Sequence, residues 1–227
     1  MLSSNKIKQN VGKEAVNLVQ QDMILGLGSG STVFYLITSL AEKIKTGFKC
    51  IAVPTSEQTR LLAKENGVDV VALNDVDSID LTIDGADEMD HQLQLIKGGG
   101  AALLQEKMIA AASKKLVIIA DNTKLVSKLG HFPLPVEVIP YGWKQVQKKI
   151  QEIYKIKTQI RIKDNDPLVT DHNHYILDCY FNEIENPAAL NAGLHNIAGV
   201  VETGLFINMA SLAIIGMPDG SFQYLSK

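Results

Sequence analysis

Cysteine is scarce in this chain: 227 residues hold two, Cys50 and Cys179, far apart and in different kinds of segment. No disulfide framework is expected, and both thiols read as reduced core residues of a cytosolic protein. No His-x-x-x-His or Cys-x-x-Cys spacing occurs, so the usual pattern of a metal centre is missing. No apolar run approaches ~20 residues, so no transmembrane helix is expected. Met1 to Asn10 carries Lys6 and Lys8 but no apolar run, and reads as neither signal peptide nor membrane anchor. A large excess of either charge is also absent. The net charge of −3 gives nucleic acid and anionic membranes nothing global to hold, so neither is expected as a partner. An anionic ligand must therefore be bound by local groups. No internal repeat or low-complexity segment is visible.

What is present suits a soluble globular chain. Hydrophobic residues make up 46% and charged residues 21%, and 227 residues can bury a core without staples. Asn5 to Gln20 reads as an amphipathic helix with Ile7, Val11, Ala15 and Leu18 on one stripe. Met23 to Leu27 reads as a buried strand, followed by Gly28-Ser29-Gly30-Ser31-Thr32 and a helical pattern through Lys45. Phe48 to Val53 is a second strand, and Thr55-Ser56-Glu57 offers caps for another helix. Val68 to Leu73, Ile79 to Ile83 and Leu116 to Ala120 read as further strands, with a helix over Gly100 to Ser113. Short apolar strands alternating with helices imply an α/β fold. Its sheet is open, Rossmann-like and mostly parallel, with helices on both faces.

The character changes at Phe132-Pro133-Leu134-Pro135. Beyond it come strands at Val136 to Ile139, Gln159 to Ile162, Tyr175 to Tyr180 and Val200 to Phe206, with helices at Gly142 to Ile153 and Asn186 to Asn196. That order fits a smaller α+β domain of split βαβ, ferredoxin-like type. Leu212 to Ile215 and Gln223 to Leu225 are expected to return to the large sheet. The expected division is residues 1–131 with 209–227, and 132–208.

Polar residues gather where the strands end: Ser29 to Thr32, Thr55-Ser56, Asp84-Gly85-Ala86-Asp87-Glu88, and Asp121 to Lys124. In an open parallel sheet those ends lie along one edge, where ligands bind. The composition points to a small, anionic, polyhydroxylated ligand. Glycines before a helix let a phosphate approach unpaired amides, although Ser29 to Thr32 also reads as a plain capped turn. A dinucleotide fingerprint is incomplete, since Ser31 replaces the third glycine and no acid closes the second strand. Asp84 and Asp87 could ligate a metal beside His91, act as acid and base, or bond their own turn. His172 and His174 sit in a turn, and His131 and His195 read as structural. The run Lys97-Gly98-Gly99-Gly100 suggests close backbone approach or unusual dihedrals, or else a flexible loop.

Glu106 lies on the helix that follows, among Ala102, Leu103, Ile109 and Ala110 on its own face. Such a carboxylate either opens into a cleft or is buried at heavy cost; the alternative is a solvated rim position beside Lys107. Burial raises its pKa, while Lys97 and the helix amino end lower it, a balance suited to a base.

Together these segments resemble ribose-5-phosphate isomerase type A. The matching stretches are Gly26 to Thr32, Asp84 to Glu88, Lys97 to Leu103 with Glu106-Lys107, and Ala120-Asp121 with Lys124. Phe132 to Pro140, Gly204 to Phe206 and Pro218 to Gly220 complete the set, in family order. The resemblance implies interconversion of D-ribose 5-phosphate and D-ribulose 5-phosphate in the non-oxidative pentose phosphate pathway, with no metal or organic cofactor. It places substrate contacts at Ser29, Gly30, Ser31, Thr32, Asp84, Gly85, Ala86, Asp87, Lys97, Gly98, Gly99, Gly100 and Lys124. It makes Glu106 the proton acceptor. The mechanism expected on these residues has Asp84 or Asp87 opening the sugar ring, and Lys97 with the glycine amides stabilising the oxyanion. It also implies a homo-oligomer, commonly a dimer; the expected cytoplasmic location rests on the two thiols. Ser29 stands where the family often has threonine, and Tyr141-Gly142-Trp143 departs from the usual residues. The competing readings are a non-catalytic sugar-phosphate-sensing domain, a metal-dependent enzyme and, more distantly, an NAD-dependent dehydrogenase.

Overall fold

The computed structural model describes residues Met1–Lys227. Ser3 caps helix α1 (Ser4–Ala15) by accepting from the Lys6 amide, and Ile7, Val11 and Ala15 form its buried stripe. Strand β1 (Ile24–Leu27), helix α2 (Ser31–Lys45) and strand β2 (Ile51–Pro54) follow. Ser56 caps helix α3 (Glu57–Glu65) through the Thr59 amide. Strand β3 (Asp69–Val70) is shorter than the expected Val68–Leu73, because the chain turns tightly at Leu73–Asp75. Next come β4 (Leu81–Asp84), the short strands β5 (Glu88–Met89) and β6 (Leu95–Ile96), helix α4 (Leu103–Ala111) and β7 (Leu116–Asp121). Helix α4 starts later than the expected Gly100, since Gly98 and Ala101 both take positive φ, at 103° and 63°.

The remaining elements are β8 (Leu134–Val138), α5 (Trp143–Tyr154), β9 (Lys157–Ile160), the small hairpin β10 (Ile162–Lys163) and β11 (Asp166–Pro167), β12 (Tyr175–Tyr180), α6 (Pro187–His195), β13 (Val200–Thr203), β14 (Leu205–Phe206), β15 (Leu212–Gly216) and β16 (Phe222–Ser226). Sequence periodicity reads Val200 to Phe206 as one strand. It is two, in different sheets: the Gly204 amide donates to Pro135 O at 2.7 Å while its carbonyl accepts from the Lys97 amide at 2.9 Å. A Cβ at 204 would stand 2.3 Å from Lys97 O, so only glycine allows this crossing.

The large sheet has seven strands in the order β16-β15-β7-β4-β1-β2-β3, parallel except for β16. Its residues alternate between two faces. Leu25, Leu27, Leu81, Ile83, Val117 and Ile119 pack with Val11, Leu36, Leu40 and Ala63 of α1, α2 and α3. Ile118, Ala120, Ala213 and Ile215 pack with Ala110 of α4 and with Met89, Leu95 and Phe206. Those last three belong to a three-stranded sheet β14-β6-β5, whose two-residue strands are too short to show a period.

The four-stranded sheet runs β13-β8-β12-β9, every pair antiparallel. Val146, Ile150, Leu190 and Leu194 of α5 and α6 cover one face, against Val136, Val138, Leu177 and Cys179. From the other face, Ile176 packs on Ala101 and Leu103, so this sheet backs the glycine run. Cys50 and Cys179 are both free and buried. No helix is long and apolar enough to cross a membrane.

Candidate active site

The carboxyl edge of the parallel sheet holds a cavity of about 170 Å³. At one end α2 begins at Gly30, whose φ of 97° suits glycine, and the first amides of a helix have no intrahelical acceptor. Gly28 ends β1 against Asp84: a Cβ there would fall 2.1 Å from Asp84 Oδ1. Ser31 and Thr32 line this end; Lys124, which follows β7 in a tight turn, lines the same cavity. Lys8 of α1 reaches in as well, donating from Nζ to Ser31 Oγ at 3.0 Å. Unpaired amides, two ammonium groups and the positive end of a helix dipole make an anion site.

The carboxylates divide by environment. Asp84 is buried: Oδ1 accepts from the Ser29 amide at 3.0 Å and the Gly85 amide at 2.7 Å, and Oδ2 lies 3.0 Å from Lys97 Nζ. It does not line the cavity. Asp87 does, half-buried, with Oδ2 accepting from the Gly99 amide at 2.7 Å. Glu88, the last acid of this turn, points elsewhere and anchors the amides of Gly130 and Phe132.

Lys97 is buried, and its three N–H groups have three acceptors: Gly85 O at 2.6 Å, Asp84 Oδ2 at 3.0 Å and Glu106 Oε1 at 3.2 Å. Burial alone would lower its pKa, but Asp84 and Glu106 together carry it well above the ordinary lysine value. Glu106 is 5% exposed, packed on α4 with Leu103, Ile109 and Ala110. Burial pushes its carboxyl up to about 8; Lys97 opposes this, and the Asp84 charge adds to it. One ammonium cannot neutralise two buried carboxylates, so the less hydrogen-bonded one, Glu106, holds a proton more readily. Glu106 Oε2 is buried with no hydrogen-bond partner, and Glu106 lines the cavity. A buried unbonded carboxylate oxygen is costly unless something comes to meet it.

The sequence-derived residues therefore separate. Gly30, Ser31, Thr32, Gly85, Ala86, Asp87, Lys97, Gly98, Gly99, Gly100, Glu106 and Lys124 all line the cavity. Asp84 stands behind it. Ser29 lines it, but its hydroxyl is engaged with those of Thr55, Ser56 and Thr59 at 2.8 to 3.1 Å. Lys97 reaches it with every donor already engaged. Within the glycine run, Gly98 takes positive φ and Gly99 is pressed against Asp87, whereas a Cβ on Gly100 would meet open space. Sequence reasoning missed Lys8, whose only signal was its place on the polar side of α1. It also missed Arg161, which donates to Gly98 O at 2.7 Å from outside the cavity.

The histidines take no part. His91, His131 and His172 are exposed, His174 bonds Glu137, and His195 pairs with Glu202. No group of three or more His, Cys, Asp or Glu side chains is arranged to hold a metal ion.

Comparison with known proteins places this geometry among relatives. The family model for ribose 5-phosphate isomerase A (phosphoriboisomerase A) matches residues 51–220. A ribose-5-phosphate isomerase A of Bacillus cereus is 55% identical over 215 residues, 94% of this chain and 97% of that protein. That of Bacillus mycoides is 51% identical over 219 residues, covering 96% and 99%. Among solved structures, a D-ribose-5-phosphate isomerase in complex with phospho-erythronic acid superposes with a TM-score of 0.96 at 38% identity, over the whole of both chains. The Plasmodium falciparum ribose 5-phosphate isomerase gives 0.95 at 36%, over 98% of this chain and 99% of the other.

Proposed function

Because this chain belongs to the ribose 5-phosphate isomerase A family, we propose that it performs its aldose–ketose isomerisation with Glu106 as the base that moves the proton. The chain interconverts D-ribose 5-phosphate and D-ribulose 5-phosphate. The alternative of a non-catalytic sensing domain draws no support from relatives that are named isomerases.

The steps assign a role to each part of the cavity. Ser31, Thr32, Lys8 and Lys124 hold the phosphate, and that remote binding orients the reacting carbons. Asp87 takes the anomeric hydroxyl proton as the bond from C1 to the ring oxygen breaks, and passes that proton to the ring oxygen. Glu106 Oε2 removes the proton on C2, giving a cis-enediolate; the hydroxyl proton passes from O2 to O1, and the same carboxyl returns its proton to C1. As Glu106 takes the proton its hold on Lys97 weakens, and that ammonium N–H turns to the oxyanion. A single donor of this kind is worth roughly 3–4 kcal/mol in a transition state. Asp84 keeps Lys97 charged and in place. Phospho-erythronic acid, present in one related structure, joins an acid to a phosphate, and three lysines, Lys8, Lys97 and Lys124, line this cavity.

The observation that carries this reading is the unpartnered Glu106 Oε2, buried in the cavity wall. Its test is conversion of D-ribose 5-phosphate by purified, metal-free protein in deuterated water. Ketose should form, carrying solvent deuterium at C1 in proportion to exchange at the base. Failure to form ketose would end the proposal.

We also propose the wider setting. Residues 1–131 with 209–227 form a unit that carries the chemistry, and residues 132–208 a unit that braces it. Buried free cysteines support a reducing, cytoplasmic location. A homodimer is supported by exposed apolar residues on the smaller unit, Ile139, Tyr141 and Ile153, which a second copy would cover. Sedimentation of the purified protein tests that state.

A further inference from the structure

The glycine run is gripped from the side away from the ligand. Arg161, just past β9, donates from Nη1 to Gly98 O at 2.7 Å and Gly99 O at 3.1 Å. Its other edge is fixed by Asp178 of β12, with Nε 3.0 Å from Oδ2 and Nη2 on Oδ1. The pair is largely buried, at 14% and 18% exposure, so it is not a solvated surface bridge. A fork-to-fork pair holds the guanidinium plane in one orientation.

The Gly98–Gly99 peptide is thereby bonded at both ends. Its carbonyl accepts from Arg161, and its N–H donates to Asp87 Oδ2 at 2.7 Å. All peptides here are trans, so C=O and N–H point to opposite sides. A cation on the carbonyl polarises the amide and strengthens the N–H as a donor. Asp87 Oδ2 is held, and its other oxygen is left for the sugar. The next peptide repeats the pattern: Gly99 O faces Arg161, so the Gly100 N–H faces away from it, on the cavity side.

We propose that Arg161, braced by Asp178, is a positioning residue of the isomerisation: it sets two successive peptide planes so that one amide fixes Asp87 and the next faces the substrate. This rests on the role given above to Asp87. Arg161 itself never meets the ligand. Were it only cement between the small sheet and the loop, its removal would lower stability without any special tie to Asp87.

The test measures kcat, KM and melting temperature for wild type, Arg161→Met, Arg161→Lys, Asp87→Asn and the double variant Arg161→Met with Asp87→Asn. Arg161→Met should lower kcat on the order of 10- to 100-fold with KM within about threefold, and Arg161→Lys should recover part of the loss. In the Asp87→Asn background the same change should cost several-fold less than in wild type, because the carboxylate it positions is gone and only the Gly100 amide is left to misplace. Should Arg161→Met not fold, Asp178→Asn replaces it in each comparison. An Arg161→Met protein within twofold of wild type overturns the proposal, as does an equal loss in both backgrounds. A wild type without turnover overturns the isomerase reading and this proposal with it. An active wild type with an indifferent Arg161 variant overturns this one alone.

Discussion

Lys97 Nζ lies 3.2 Å from Glu106 Oε1 and leaves Oε2 of the same carboxylate without a partner. One oxygen is thus an anchor and the other is free to act. The free oxygen sits at the end of a side chain fixed on a helix, so its position is set by packing rather than by the ligand. Replacing Glu106 with Gln keeps the volume and removes the base. Turnover should fall by about 10²–10⁴-fold, the usual range for a positioned acid–base group. Binding of phospho-erythronic acid, followed by calorimetry, should survive. Near-normal turnover in this variant would remove Glu106 from its role.

The same burial sets the pH dependence. With its carboxyl pushed up to about 8, Glu106 is mostly protonated at neutral pH in the free protein. The profile of kcat/KM should therefore rise with pH and level off only above about 8. Stability runs the other way. The folded chain keeps a proton that the unfolded chain releases near the ordinary value of 4.5, so this group favours the fold fully below that pH. Its contribution declines as pH rises from 4.5 toward 8. The amide introduced by Glu106→Gln cannot titrate. Denaturant titrations at pH 5 and pH 8 should therefore show that variant gaining on wild type as pH rises. An unchanged difference would argue against the raised carboxyl.

Asp84 and Asp87 should part company when each becomes Asn. Asp84 holds two amides and one end of a buried ion pair. Asp84→Asn leaves the Lys97 ammonium undercompensated, and breaking a buried pair costs about 3–5 kcal/mol. Asp87 holds one amide at the cavity rim. Asp87→Asn should cost less than about 2 kcal/mol yet still lower kcat, since the proposed ring opening is lost. Chemical denaturation and initial rates on both variants decide this. Equal stability losses would mean that Asp84 has no bracing role beyond that of Asp87.

Lys124→Ala and Lys8→Ala should act on binding. Both ammonium groups line the cavity, and neither pairs with Glu106. KM should rise about tenfold or more for each, at nearly constant kcat, and the effect should shrink at high salt. An unchanged KM for Lys8→Ala would mean that its bond to Ser31 serves the helix pair α1 and α2 and not the ligand.

How much of this was legible depended on whether the signal was local. Glu106 stood out because apolar residues, Ala101 to Leu104 and Met108 to Ala112, flank its short polar block on both sides. The proposed phosphate end was legible because strand, glycine turn and helix start lie within Gly26 to Thr32. Arg161 was not, since its acceptors are backbone carbonyls more than sixty residues away, and a carbonyl has no letter in the sequence. Asp84 and Asp87 read alike because a turn with two acids does not say which one faces inward. Tertiary packing decided it, by setting Gly28 against one and Gly99 against the other.

Gly204 joins these layers and provides the last prediction. Its carbonyl accepts from the Lys97 amide and its amide donates to Pro135 O, so it ties the active-site strand end to the first strand of the smaller sheet. A methyl group there would meet Lys97 O at 2.3 Å and Pro135 Cδ at 2.8 Å. Backbone oxygen and a proline ring cannot swing aside as a flexible side chain can. Gly204→Ala should cost about 1–3 kcal/mol, the usual range for overpacking. Because the displaced atom is the Lys97 backbone, the cost should reach the chemistry too. The ammonium shifts from Glu106, kcat falls, and KM for a substrate held at its distant phosphate moves little. Gly199→Ala serves as the control. It strains the smaller sheet through its φ of 96° and its contact with Val146 of α5, away from Lys97 and the cavity. If both variants lower kcat in proportion to their loss of melting temperature, Gly204 is a packing position only. If Gly204→Ala loses kcat well beyond that proportion, the crossing strand transmits its geometry to the Lys97–Glu106 pair.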